Sequence, residues 1–172
     1  LEDMSLGINC LLSPNLQAAL PMARDLDSLN RERRQIESQM QLEALKIIDD
    51  LYEDFSEKKS ICLYHPDWHQ GVIGILASRI KDRFSKPTCI FSKASDEELK
   101  ASLRSVPGLN IRDVLASMAL KNPMLMKKFG GHAMAAGLSI APKDYAFFVN
   151  AYETEIVLQG YETTEHIWSD GP

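Results

Sequence analysis

The sequence predicts a small α/β domain: a mixed β-sheet flanked by helices and preceded by a long connecting helix. Three observations carry that expectation. The apolar runs at 60–64 and 88–91 have strand length and bracket a helical stretch, an order that implies a right-handed crossover and a parallel pair. Two further strand-like segments, at about 99–104 and 138–140, lie on either side of another helical pattern. Ahead of all of these, residues from Leu16 to about Phe55 keep a three- and four-residue apolar spacing with few breaks.

In chain order, Ser13-Pro14-Asn15 is a helix-start signal, since proline early in a helix loses only an N–H that has no partner there. The long helix then carries Leu29, Arg33, Ile36, Met40, Leu45, Ile48, Tyr52 and Phe55 on one side, with an interruption or kink expected near Pro21. Its apolar stripe is thin, which suits a connector between domains. Ser56-Glu57-Lys58-Lys59 is a polar break before the strand at 60–64, and His65-Pro66 ends that strand. Asp67 and Gln70 have the spacing of a capping pair for a helix whose apolar face is Val72, Ile73, Leu76, Ala77, Ile80 and Phe84. Lys86-Pro87 stops it before the strand at 88–91. A turn at Ser95-Asp96-Glu97-Glu98 leads into the strand at 99–104. Asn110 caps a helix bearing Ile111, Val114, Leu115, Met118 and Leu120, and a short helix is expected at about 124–128. Pro142 opens a closing helix with Tyr145, Phe148, Val149, Tyr152 and Ile156.

Composition narrows the function. The 172 residues, 45% of them hydrophobic, can bury one core with an extension. No stretch approaches the ~20 apolar residues of a membrane span, and the N-terminus has no signal-peptide pattern. Cys10, Cys62 and Cys89 are odd in number and far apart, the pattern of reduced thiols in a cytoplasmic protein. Net charge is −5, but its distribution is uneven. Between His69 and Leu138 lie 11 Lys or Arg against 5 Asp or Glu, so a basic middle stands out from acidic flanks. Such a middle is a candidate phosphate-binding face, or a set of charges that only solvate helices.

That window holds every candidate for chemistry. Phe129-Gly130-Gly131-His132-Ala133-Met134-Ala135-Ala136-Gly137 is too small in side-chain volume to build a core. Gly130 and Gly131 can take positive φ and uncover N–H groups that cup an anion, with His132 beside them as donor or proton carrier. The plainer reading is a tight turn. Gly71 and Gly74 lie near a helix start, where anions are favoured, flanked by Gln70 and by Trp68, whose ring could stack on a base. Alternatively Trp68 fills the core and the glycines let helix and sheet approach closely. Ser102 and Arg104 alternate along a strand and so share a face, where the guanidinium could grip a phosphate bidentately. Ser105 and Arg112 are weaker candidates. His65 and His69 have an i, i+4 spacing, but Pro66 lies between them and no Glu follows His65, so a metal site is not expected. His166 sits in an acidic tail.

Together, Trp68-His69-Gln70-Gly71-Val72-Ile73-Gly74-Ile75-Leu76-Ala77-Ser78-Arg79-Ile80, Lys100-Ala101-Ser102-Leu103-Arg104-Ser105 and the glycine motif closely resemble the RecJ family of single-strand-specific 5′→3′ DNA exonucleases. The part resembled is the DHH-associated domain. The resemblance implies four stretches: 1–12 as the tail of a catalytic DHH domain, 13–56 as the connecting helix, 57–158 as the nucleic-acid-binding domain, and 159–172 as a linker toward an oligonucleotide-binding barrel. It implies an excised substrate-binding half, inactive alone, with Mn²⁺ or Mg²⁺ held by the missing domain and no metal in this one. It places Ser102 and Arg104 in a pocket for the 5′ end of single-stranded DNA, with Leu103 standing where members often carry Gly. The parent would be monomeric, with single-strand-binding protein or a helicase as candidate partners. Two rivals stay open: another DHH-superfamily phosphodiesterase acting on oligonucleotides or cyclic dinucleotides, and a non-catalytic RNA-binding module like the tail of alanyl-tRNA synthetases.

Overall fold

The structure is a computed structural model and describes residues 4–51 and 57–160. The expected last turns of the long helix at Tyr52 and Phe55, residues 1–3, and all but the first two residues of the expected linker at 159–172, His166 included, lie outside the described residues. A short helix, α1 (Ser5–Leu11), which the sequence pattern did not predict, packs on the start of α2 (Leu16–Asp50). Asn15 caps α2, its Oδ1 accepting the Ala18 N–H at 2.9 Å. Of the interruption or kink expected near Pro21, the interruption does not occur: α2 runs through it as one element of 35 residues. Only Met40, Ala44 and Ile48 of α2 are buried, all in its C-terminal part. That is where the helix meets the domain, while Leu16 and Leu42 stay exposed.

Five strands form one mixed sheet: β1 (Ile61–His65), β2 (Thr88–Ser95), β3 (Glu98–Arg104), β4 (Lys128–Gly131) and β5 (Ala135–Ile140). Their spatial order is β1-β2-β3-β5-β4. The β1–β2 pair is parallel, as the crossover through α3 (Ile73–Phe84) requires, and the other pairings are antiparallel. Alternation along the strands sends side chains to two cores. Cys89, Phe91, Leu99, Ala101, Leu103, Leu138 and Ile140 meet α4 (Ile111–Lys121) and α5 (Tyr145–Leu158) on one face. Ile61, Leu63 and Ile90 meet α3 and the end of α2 on the other. Leu103 is fully buried on the α4 face, so it points away from its neighbours Ser102 and Arg104.

Three local expectations change. α3 begins at Ile73, not after Asp67, and has no side-chain cap. The chain ahead of it is a turn: the His69 imidazole accepts the Gly71 N–H at 3.0 Å and the His69 carbonyl accepts the Val72 N–H at 2.9 Å. No helix forms at 124–128. A turn there is followed by Lys127, whose N–H donates to the Ser139 carbonyl at 2.9 Å and draws the chain into the ladder. Pro142 opens a 3-10 turn, Pro142–Asp144, before α5.

Candidate functional site

The glycine motif folds as a hairpin, not as an anion-cupping turn. Gly130 lies in β4 opposite Gly137 and lacks positive φ; Gly131, at φ 152°, has it. A Cβ on Gly131 would lie 2.4 Å from the Ala135 carbonyl oxygen, so glycine is required there by close approach of the two strands. The N–H of His132 donates to that same carbonyl at 2.8 Å, which removes it from any anion-binding nest. The imidazole of His132 stands exposed at the hairpin tip. The tip is tied to the body by the Ser105 and Ile111 N–H groups, which donate to the Met134 and Ala133 carbonyls, both at 2.9 Å.

Register decides what else shares a surface. On the face away from α4 and α5, Ser102, Gly137 and Gly130 lie in one row across β3, β5 and β4. Lys100, Ser139 and Lys128 form the next row, and Arg104 sits opposite Ala135 in the row beyond Ser102. α3 packs over β2 and β3 on this face. Beside it a groove of about 890 Å³ opens, with Gln70, Gly71 and Gly74 along one wall and the two rows as its floor. With two glycines opposite each other, the floor has no side chain at its centre. Glu98 is the acidic residue lining it, against Lys100 and Lys128. Both lysines are exposed and neither has an ion-pair partner among the described residues.

Arg104 is held rather than free. Its Nε donates to Ser78 Oγ at 3.1 Å, and its Nη1 donates to Ser102 Oγ at 3.1 Å and to the Leu103 carbonyl at 2.9 Å. Nη2 makes no hydrogen bond among the described residues and points at Gly74, where a Cβ would lie 3.2 Å away. Gly74 thus lets α3 settle onto the Arg104–Ser102 pair. Arg104 is not among the residues lining the groove; its guanidinium is committed to Ser78, Ser102 and the Leu103 carbonyl, while Ser102, which does line the groove, keeps a hydroxyl hydrogen to donate.

Two expected contacts are absent from this surface. Trp68 is 3% exposed, and its indole N–H donates to Glu43 Oε2 at 2.9 Å, tying α3's approach segment to α2. Its ring stacks on His65 at 5.7 Å, so it is core and cannot stack on a base. Ser105 is 1% exposed, its hydroxyl donating to the Leu109 carbonyl at 2.7 Å, which leaves nothing for a phosphate. Gln70 does line the groove, with only a long 3.4 Å contact from Nε2 to the Lys93 carbonyl. Lys100, Ser139 and Lys128 carry no individual candidate role in the sequence, and Gly137 enters there only as the end of the glycine motif. The Lys100-x-Ser102-x-Arg104 alternation was a signal for the first, but the others join only through strand pairing.

Among the described residues no three His, Cys, Asp or Glu converge as a metal site. The Nδ1 atoms of His65 and His69 accept the Asp67 and Gly71 N–H groups at 3.3 and 3.0 Å, and serve the turn. No helix among the described residues is long and apolar enough to cross a membrane.

The DHHA1 domain family model matches residues 57–157. The chain is 44% identical over 99% of its length to the single-stranded-DNA-specific exonuclease RecJ of Haemophilus influenzae, and 43% identical over 100% to that of Escherichia coli. It spans about 30% of the length of each. A crystal structure of RecJ in complex with Mn²⁺ from Thermus thermophilus superposes with a TM-score of 0.76 at 27% identity, covering 90% of this chain and 22% of that one.

Proposed function

Because the chain belongs to the DHHA1 domain family, in its RecJ branch, we propose that it is the substrate-gripping part of a RecJ-like exonuclease. That enzyme degrades single-stranded DNA from its 5′ end, in recombination and repair, in the cytoplasm. The observation that carries this reading is the groove between α3 and the bare face of β5 and β4, floored by glycines and rimmed by two lysines that have no ion-pair partner among the described residues. An open, electropositive, small-residue floor admits a phosphate backbone without selecting a base. The RecJ relatives named above favour this reading over the phosphodiesterase and RNA-module rivals.

In this reading residues 1–12 close a DHH domain, 13–56 connect it, 57–158 grip DNA, and 159–172 lead to a barrel. Ser102 and Arg104, with Gln70 at the wall, receive the terminal phosphate. Gly130 and Gly131 let the strand pass close to the sheet, and His132 at the hairpin tip donates to the scissile phosphate. The Mn²⁺ or Mg²⁺ that activates water is assigned, in this reading, to the part of the enzyme outside this chain. Single-strand-binding protein or a helicase would deliver the strand to a monomeric enzyme.

The test incubates 5′-phosphorylated single-stranded DNA and Mn²⁺ with this chain alone, and in parallel with the full-length protein that contains it. Mononucleotide release by the full-length protein only is expected. Release in proportion to the isolated chain, or no release by the full-length protein, would overturn the reading.

A further inference from the structure

The row next to Ser102 contains a hydroxyl that the fold leaves unused. Ser139 is 4% exposed, yet its Oγ has no hydrogen-bond partner among the described residues. Buried hydroxyls are almost always bonded, and one left alone costs stability unless something else satisfies it. Ser139 lines the groove, and its register neighbours are Lys100 on β3 and Lys128 on β4. Its own backbone carbonyl is already taken by the Lys127 N–H.

We propose that Lys100, Ser139 and Lys128 form a second phosphate subsite, which takes an internucleotide phosphodiester of the strand whose end lies at Ser102 and Arg104. The inference rests on the single-stranded-DNA reading and deepens it. A phosphodiester has two unbridged oxygens that only accept; the Ser139 hydroxyl donates to one while the ammonium groups on either side neutralise the charge. Lys100 and Ser102 are two residues apart on one strand, a rise of roughly 6.6–6.8 Å, so the two rows present separate phosphate positions along one path. Glu98 lies further along the same face and lines the groove, where it opposes an anion and limits how far the path runs. Ser92, also without a partner for its Oγ and paired with Lys100 in register, is fully buried and does not line the groove, so it takes no part.

The test uses the full-length protein with a chelator in place of metal, so that DNA is bound and not cut. Affinity for 5′-phosphorylated oligothymidylate is measured across a salt series for the wild type, Ser139→Ala, Lys100→Met and Lys128→Met. Ser139→Ala is expected to weaken binding roughly tenfold, the worth of a hydrogen bond to a charged group, while its melting temperature stays level or rises. Each lysine change is expected to reduce the salt slope by about 0.7. A neutral methylphosphonate walked along the oligonucleotide should abolish the Ser139→Ala penalty at one internal linkage. Wild-type binding with a normal salt slope but unchanged affinity and slope in the variants overturns the subsite alone. A penalty abolished only by removing the 5′-phosphate also overturns it, because the hydroxyl would then serve the terminal site. No binding by the wild type overturns the single-strand reading itself. Lys128 is exposed at the sheet edge, so its variant reads the subsite without risk to folding.

Discussion

Gly130 and Gly131 are adjacent and chemically identical, but the structure asks different things of them. A Cβ at Gly131 collides with the Ala135 carbonyl and the Ala136 Cα, and its φ of 152° is hostile to any side chain. Gly131→Ala should therefore destabilise the fold by about 1–3 kcal/mol or more, as urea unfolding would show. A Cβ at Gly130 meets nothing within 4 Å and the backbone there is extended. Gly130→Ala should leave stability level or raise it by about 0.5–1 kcal/mol, while narrowing the groove floor and weakening binding of single-stranded DNA. Equal loss of stability in both variants would contradict this division. Tyr152 gives a second test at this scale. Its hydroxyl is buried without a partner among the described residues, and burial holds its ionisation far above the usual phenol range. Tyr152→Phe removes a desolvated group and should be neutral or stabilising by about 1 kcal/mol in the same measurement.

Among the elements, the crossover from β1 through α3 to β2 was legible because its signals are local: an apolar run, Lys86-Pro87 as a stop, and a second apolar run. The hairpin of β4 and β5 was not. Its glycines have no strand propensity, and they become strand because β5 pairs with β3, about thirty-five residues earlier in sequence. For the same reason Ser102 and Arg104 could be placed on one face from alternation alone, whereas Ser139 and Lys128 could not be joined to them. Of the two roles the sequence leaves open for Trp68, the structure takes the core one, and no short-range pattern decides it because its partner, Glu43, lies on α2. That contact makes the α2–α3 junction sensitive to acid. Hydrogen bonds from Gln39, and then from Trp68, hold the Glu43 carboxyl below its usual range, and Lys121 does the same for Glu155 on α5. Carboxyls depressed in the folded state add stability above the unfolded value near 4.5, and that stability is lost as pH falls through the folded values. Urea midpoints should hold from pH 7 to about 5 and fall below it, with a shallower fall in Glu155→Gln; an unchanged slope would remove Glu155 from the explanation.

At the scale of the whole molecule, the two faces of the sheet divide the work. α4 and α5 close one face over a continuous core, while on the other α3 covers only part of the sheet and leaves β5 and β4 bare. The net charge of −5 hides this asymmetry, since Lys100 and Lys128 sit on the bare side. In the full-length enzyme, His132→Ala should lower kcat by ~10²–10³ if the imidazole meets charge that grows in the transition state. Arg104→Ala should mainly raise KM if the guanidinium holds the terminal phosphate, because such a contact would be made before and during reaction alike. Steady-state kinetics on 5′-phosphorylated and 5′-hydroxyl strands separates the two, and a pure KM effect for His132→Ala would remove it from the chemistry. That DNA lies in the groove beside α3 is tested most directly by titrating the ¹⁵N-labelled chain with 5′-phosphorylated single-stranded DNA and following amide shifts by NMR. Shifts should concentrate at Gln70, Gly71, Gly74, Ser102, Gly130 and Gly137, fade as salt rises, and spare α4 and α5. Shifts centred on α4 and α5, or none in the groove at saturating DNA, would contradict it.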